Sequence, residues 1–192
     1  MNNKEEKNLK DGISDIPENV DSLRAIGSAC LDSGKTREAI DVLERACELD
    51  PANGESFALL GRAEALRVEE VENLAEQMDL ATKALVHINM GAIKSPEKWL
   101  VRLTHGVLSL YTPEIFRMYK RGIEDLNYIL ELKEKDPKAV PDSFIPQVYF
   151  SLGEIYEKNK LRDCARAMWL RLLEEYPESD YSEKAKQKLK HK

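Results

Sequence analysis

Apolar residues along most of this chain recur at intervals of three and four, the spacing that gathers side chains on one face of a helix and leaves charge on the other. Two stretches show it in the same form. Val20–Asn53 and Pro146–Ser179 align without a gap, so that Leu23 falls on Tyr149, Ile26 on Leu152, Gly27 on Gly153, Ala39 on Ala165, Leu43 on Trp169, Ala46 on Leu172 and Pro51 on Pro177. Each stretch predicts a helical hairpin. Small residues (Gly27 and Ala39, Gly153 and Ala165) let the two helices approach, and large ones (Leu43, Tyr149, Tyr156, Trp169) fill the space beside them. Pro51 and Pro177 then end the second helix, because a ring-locked φ and a missing N–H stop its continuation.

This order of large, small and proline positions resembles the tetratricopeptide repeat (TPR), a helix-turn-helix unit of about 34 residues. Cys30 departs from it in an aromatic slot, and Lys160 stands where the first hairpin has Gly34. The resemblance implies an all-α fold, a right-handed solenoid of antiparallel helix hairpins with a C-terminal capping helix. The expected organisation is a polar N-terminal segment over 1–17, a repeat domain over 18–179 with units near 20–53, 54–94, 95–140 and 146–179, and a cap with a basic tail over 180–192.

The two inner units are less regular. The first pairs a helix containing Phe57, Leu60 and Gly61 with one carrying Leu74, Met78, Ala81, Leu85 and Ile88 at helical spacing, although Glu64 stands where an apolar residue belongs. The second is predicted to start at Ser95-Pro96-Glu97, an N-cap with proline in the first turn, and to run through Trp99, Leu100, Leu103 and Val107. Thr112-Pro113-Glu114 repeats the start signal before a helix with Phe116, Gly122, Ile123, Leu126 and Ile129 that ends ahead of Asp136-Pro137. At the C-terminus, SEKAKQKLK predicts a short amphipathic cap with Tyr181, Ala185 and Leu189 on one face, covering the last hairpin. The run YPESDYSEKAKQKL is similar to the ends of TPR proteins of bacterial cell envelopes, including outer-membrane assembly and Tol-Pal-associated types, which points to a bacterial source.

Composition narrows the function. Of 192 residues, 42% are hydrophobic, ample for a continuous core, and 33% are charged with few aromatics and only 9 Gly and 8 Pro, which favours helices over a sheet protein rich in turns. A formal net charge of -6 disfavours binding to nucleic-acid phosphates or anionic lipid. No apolar run approaches the roughly 20 residues of a membrane span, and the first fifteen residues carry no signal core. A cytoplasmic location is expected, or a periplasmic one had a leader been removed.

Several motifs offer chemistry and are better read as structure. Ala29 to Thr36 satisfies a relaxed phosphate-loop pattern, yet a working loop needs a strand before it; the residues from Leu23 to Leu31 predict helix, with Gly34 in the hairpin turn. His87, His105 and His191 have no metal-ligand spacing. Cys30 and Cys47 fall roughly 14 Å out of register along the hairpin, too far for a disulfide. Glu69, Glu70 and Glu72 read as solvated surface. The lysines at 184, 186, 188, 190 and 192 suit a helix C-terminus through its dipole. No catalytic residue, cofactor or metal is expected.

By the resemblance, a concave groove lined by the first helix of each hairpin holds a peptide or helix of a partner protein. Its expected lining is Arg24, Ser28 and Leu31 in the first unit, Arg62 in the second, Arg102 and His105 in the third, and Phe150 and Glu154 in the last, with Arg102 and His105 facing the groove as a solvated pair. The basic groups favour an acidic or C-terminal carboxylate ligand with an apolar anchor. The lysine and asparagine clamp by which some TPR proteins hold chaperone tails is not reproduced, since Ser28 and Leu59 occupy asparagine positions. The expected function is that of a non-enzymatic adaptor or assembly factor, with homo-oligomerisation as a further mode. The alternatives are a nucleotide-regulated protein using Ala29 to Thr36 and an envelope assembly factor without its leader.

Overall fold

A computed structural model describes residues 19–111 and 118–190. Among the described residues there is no strand. The helices are α1 (Val20–Asp32), α2 (Thr36–Leu49), α3 (Gly54–Val68), α4 (Leu74–Lys94), α5 (Trp99–Leu108), α6 (Tyr119–Lys135), α7 (Ile145–Lys158), α8 (Arg162–Glu175) and α9 (Asp180–Lys190), with a 3-10 turn at Asp142–Phe144 before α7. The chain divides into two compact units, Met1–Pro96 and Glu97–Lys192. In the first, α1 packs on α2 and α3 on α4, while α3 also touches α1 and α2. In the second, α5 packs on α6, α6 on α7, and α7 on α8, and α9 covers both α7 and α8. Each helix thus packs mainly on its sequence neighbours, which makes this an all-α helical-repeat fold of the solenoid class with a C-terminal cap.

One joint recurs in all four hairpins: a glycine on the first helix lies against a large residue on the second. A Cβ on Gly27 would sit 2.6 Å from Leu43 Cγ, one on Gly61 2.6 Å from Ile88 Cγ1, one on Gly106 2.8 Å from Leu126 Cγ, and one on Gly153 2.6 Å from Trp169 Cδ1. All four large partners are buried. Burying each contributes about 1.5–3 kcal/mol, and the glycine makes that possible by letting the backbones close up.

The turns and ends follow local chemistry. The side chains of Asn19, Asn53 and Asn73 accept from backbone N–H groups in the first turns of α1, α3 and α4. In the first hairpin Gly34 (φ 70°) donates to Leu31 O at 3.1 Å and Lys35 to Cys30 O at 2.8 Å. In the last, Lys160 (φ 62°) donates to Glu157 O and Leu161 to Tyr156 O, both at 2.9 Å. Both are Schellman closures that need one left-handed residue.

Two expectations are corrected. Ser95 is not an N-cap of α5, whose N-cap is Lys98 without a side-chain bond; it closes α4, and its hydroxyl accepts from Gly54 N at 3.2 Å. The predicted face of α4 does not point inward. Ile88 is buried, but Leu74 is 69% and Met78 64% exposed, and Ala81 and Leu85 are exposed with them. The inward face is Ala84, Ile88 and Gly91, because Gly91 lets α4 approach Gly54 and Ala58 so closely that a Cβ there would lie 2.8 Å from Gly54 O. Glu64, the misfit of α3, is 1% exposed, and its Oε2 lies 2.8 Å from Nδ1 of His87 on α4. The start signal at Thr112-Pro113 and the residue Phe116 lie outside the described residues, as do the 1–18 segment and His191. Tyr181, Ala185 and Leu189 of α9 pack on the core of the second unit around Leu152, Trp169 and Leu172.

Candidate protein-binding face

In the first unit, α1 and α3 run side by side and are joined by Arg24. Its Nη1 lies 2.5 Å from Glu55 Oε2 and its Nη2 2.8 Å from Asp21 Oδ1. The guanidinium therefore already has two carboxylates, and the expectation of a free basic group there is corrected. Ser28, one turn further along α1, is half-buried. Leu31 is buried and belongs to the interior of the hairpin, not to a groove. Arg62, on α3 directly after the joint glycine Gly61, is half-buried and has no ion pair among the described residues.

In the second unit the expected pair Arg102 and His105 is differently placed. His105 is 3% exposed, with Nδ1 2.6 Å from Asp125 Oδ2 on α6. Arg102 lies on the flank of the same hairpin, with Nη1 2.8 Å from Asp125 Oδ1 and its guanidinium 4.3 Å from the Tyr128 ring centroid. Both oxygens of a buried carboxylate are thereby answered, and the three groups brace α5 against α6. The expectation that His105 faces solvent with Arg102 is corrected: amphipathic spacing locates a helix face but not the carboxylate that draws an imidazole inward.

Phe150 and Glu154 lie on α7 under the C-terminal cap. The Phe150 ring centroid is 5.7 Å from that of Tyr181, and Glu154 pairs with Lys188, which also reaches Glu157 at 3.2 Å. Burial works against the Lys188 charge, but hydrogen bonds and the charges of Glu154 and Glu157 outweigh it and raise its pKa. Lys188 was expected to act only on the dipole of its own helix; it also fastens that helix to α7.

The phosphate-loop pattern resolves into a hairpin turn. Ala29 to Asp32 are the last turn of α1, and Gly34 makes the left-handed closure. Thr36, at the start of α2, is buried and donates through Oγ1 to Glu70 Oε2 at 2.7 Å. That hydrogen bond, with one from Arg67, holds Glu70 below the usual carboxylate range. A strand is missing where phosphate binding requires one. The cysteines are free thiols, with Cys47 buried, Cys30 half-buried and Cys164 exposed. No described helix is long and apolar enough to cross a membrane.

Comparison with known proteins bears on the fold. Residues 20–64 match the tetratricopeptide repeat family model. Among solved structures, the chain is similar to the thermophilic TPR protein TTC0263 of Thermus thermophilus (TM-score 0.68, 16% identity, covering 94% of this chain and 87% of the other). It is also similar to MamA (TM-score 0.54, 21% identity, covering 94% and 87%). No curated protein matches the sequence. At these identities the likeness is one of fold. Residues 20–64 thus match a tetratricopeptide repeat, and the fold of the chain is similar to that of solved tetratricopeptide repeat proteins.

Proposed function

We propose that the chain is a protein-interaction module and that the face shared by α1 and α3, with Arg24, Ser28 and Arg62, takes up a peptide or helix of a partner protein. The TPR fold is that of a protein–protein interaction scaffold. One observation favours this face over the others. Arg62 has no carboxylate partner among the described residues, whereas Arg24 is held by Glu55 and Asp21, and Arg102 by Asp125. In the second unit, Phe150 and Glu154 are covered by α9. A carboxylate on the partner would find its countercharge at Arg62, and half-burial would strengthen that pairing over one in open water.

The reading is tested by affinity capture from native lysate with the full chain and with Arg62→Glu in parallel, followed by mass spectrometry. A protein retained by the wild type and lost with Arg62→Glu supports it; identical retention overturns the assignment to this face. ATP and GTP at millimolar concentration are expected to leave the melting temperature unchanged, and a rise would revive the nucleotide-regulated alternative.

A further inference from the structure

Helix α9 lies over Phe150 and Glu154, the two residues of α7 expected to meet a partner, and it answers both in kind. The Tyr181 ring is 5.7 Å from that of Phe150, and Lys188 pairs with Glu154 and, at 3.2 Å, with Glu157. The Lys188 ammonium also lies 5.9 Å from the Trp169 ring centroid on α8. Tyr181, Ala185 and Lys188 stand at i, i+4 and i+7, within about 60° of one another around the helix. An aromatic residue, a small one and a cation thus form one stripe that reads the surface of α7 and α8.

The attachment is slight for a helix. Its buried residues are Ser182 and Ala185, while Tyr181, Lys188 and Leu189 are half-buried, so no large side chain is sunk whole as Trp169 and Leu172 of α8 are. Eleven residues are also too few to hold a helix in water without a surface to pack on. Polar contacts therefore carry much of the docking. Ser182 Oγ donates to Tyr176 O at 2.6 Å, and Lys188 stands between two glutamates one turn apart, which without it would repel each other. Those three charged side chains are 38%, 29% and 35% exposed, sheltered enough for the pairing to count and wet enough for salt to loosen it.

We propose that α9 is a tethered competitor: it closes a docking site on α7 and α8 for a basic amphipathic helix of a partner protein, and it lifts away while the rest of the second unit stays folded. The chemistry of α9 defines the ligand. An aromatic residue meets Phe150, a small residue one turn on permits close approach, and a lysine or arginine a further turn on meets Glu154 and Glu157. An acidic helix is repelled by the same two carboxylates. This site therefore takes a ligand of opposite charge to the one that Arg62 draws to α1 and α3, and it stands or falls independently of that face.

Hydrogen exchange with mass spectrometry on the full chain should find the α9 amides exchanging about tenfold or more faster than those of α7 and α8. The gap should widen as sodium chloride rises from about 0.05 to about 0.5 M. A fluorescent peptide of residues 179–190, SDYSEKAKQKLK, should bind the Lys188→Glu chain about tenfold or more tightly than the wild type, whose own α9 competes at an effective concentration on the order of millimolar. The same peptide carrying Lys188→Glu should bind neither chain. Exchange of α9 in step with α7 and α8 at both salt concentrations overturns the proposal, and that measurement needs no variant to fold. So does a peptide that binds the two chains alike, or one that tolerates Lys188→Glu. A dimer with α9 exchanged between copies, detected by sedimentation velocity, would make a second copy the occupant and overturn the assignment to a partner protein.

Discussion

The first and last hairpins, α1–α2 and α7–α8, and the two between them in sequence, α3–α4 and α5–α6, close over the same glycine joint with different interiors. On the second helix, the residue before the large partner of the joint is Val42 in the first hairpin and Met168 in the last. In the inner two it is His87 and Asp125, and each is met by an opposite polar group on the first helix, Glu64 and His105. The outer hairpins fill that slot with apolar volume; the inner ones fill it with a hydrogen-bonded imidazole and carboxylate in opposite order. The fold thus fixes the glycine and its bulky partner, and leaves the neighbouring slot open to either chemistry provided every buried polar atom is answered.

The largest expected effect breaks the polar interior. Asp125→Ala removes the carboxylate shared by His105 and Arg102, stranding a buried imidazole and breaking an ion pair of a half-buried guanidinium, at a cost of about 3 kcal/mol or more. Glu64→Met, which restores the apolar residue that the repeat pattern calls for, is expected to stay within about 1 kcal/mol of wild type, because His87 is exposed enough to turn to water. Urea denaturation of the two variants checks the contrast. Equal losses would mean that the two polar pairs are equivalent after all.

The next effect sharpens the comparison within the outer pair. Gly153→Ala drives a methyl into the rigid Trp169 indole, whose Cδ1 and Cε2 would both lie 2.6 Å away, and should cost about 3 kcal/mol. Gly27→Ala meets Cγ and Cδ2 of Leu43 at 2.6 and 2.7 Å, an aliphatic chain smaller and less rigid than indole, at about 1–2 kcal/mol. With Trp169→Leu as background, Gly153→Ala should fall to the cost seen at Gly27. A penalty that persists there would place the strain in the backbone, not in the ring.

What the sequence disclosed follows the same division. The outer hairpins were legible because their glycine, bulky residue and terminating proline stand at the same spacing twice, and apolar fillers reinforce the period. In the inner hairpins Glu64 occupies the slot of Cys30 and Tyr156, and His105 that of Ile26 and Leu152, so the pattern breaks at the residues that specify the pairing. A buried carboxylate and its histidine are far apart in sequence and share no period. The inward face of α4 was misread for a related reason: Gly91 gives no hydrophobic signal, yet the approach it permits turns Leu74 and Met78 outward. Among the groove candidates, spacing alone set Arg24, Arg62 and Arg102 side by side, and only the carboxylates on neighbouring helices distinguish Arg62.

A smaller effect lies in the two equivalent turns. Gly34 adopts φ 70° with open space around its Cα, so Gly34→Ala is penalised by conformation alone, about 1 kcal/mol. Lys160 holds φ 62° with a side chain and should gain about 0.5 kcal/mol on mutation to Gly, the relief being partly offset by the freer unfolded chain. Thermal melts of the pair should shift in opposite directions.

The smallest expected effect links an outer hairpin to an inner one through Cys47. Burial, then the negative charges of Glu64 and Glu44, push its thiol from 9.0 up to about 12. The folded state therefore resists forming the thiolate, and this contribution to stability, complete below pH 9.0, is lost as pH rises toward about 12 because the unfolded thiol ionises first. At neutral pH the same shift slows alkylation, so thiol labelling should be rapid at exposed Cys164, slower at Cys30 and slowest at Cys47. Glu64→Gln removes one of the two charges but none of the burial, and should speed Cys47 labelling only a few-fold. The rate must be compared in low urea, since labelling through local opening would track stability, whereas a charge effect on the thiol persists at matched stability. An unchanged rate under those conditions would show that the carboxylate bonded to His87 exerts no field on the neighbouring hairpin.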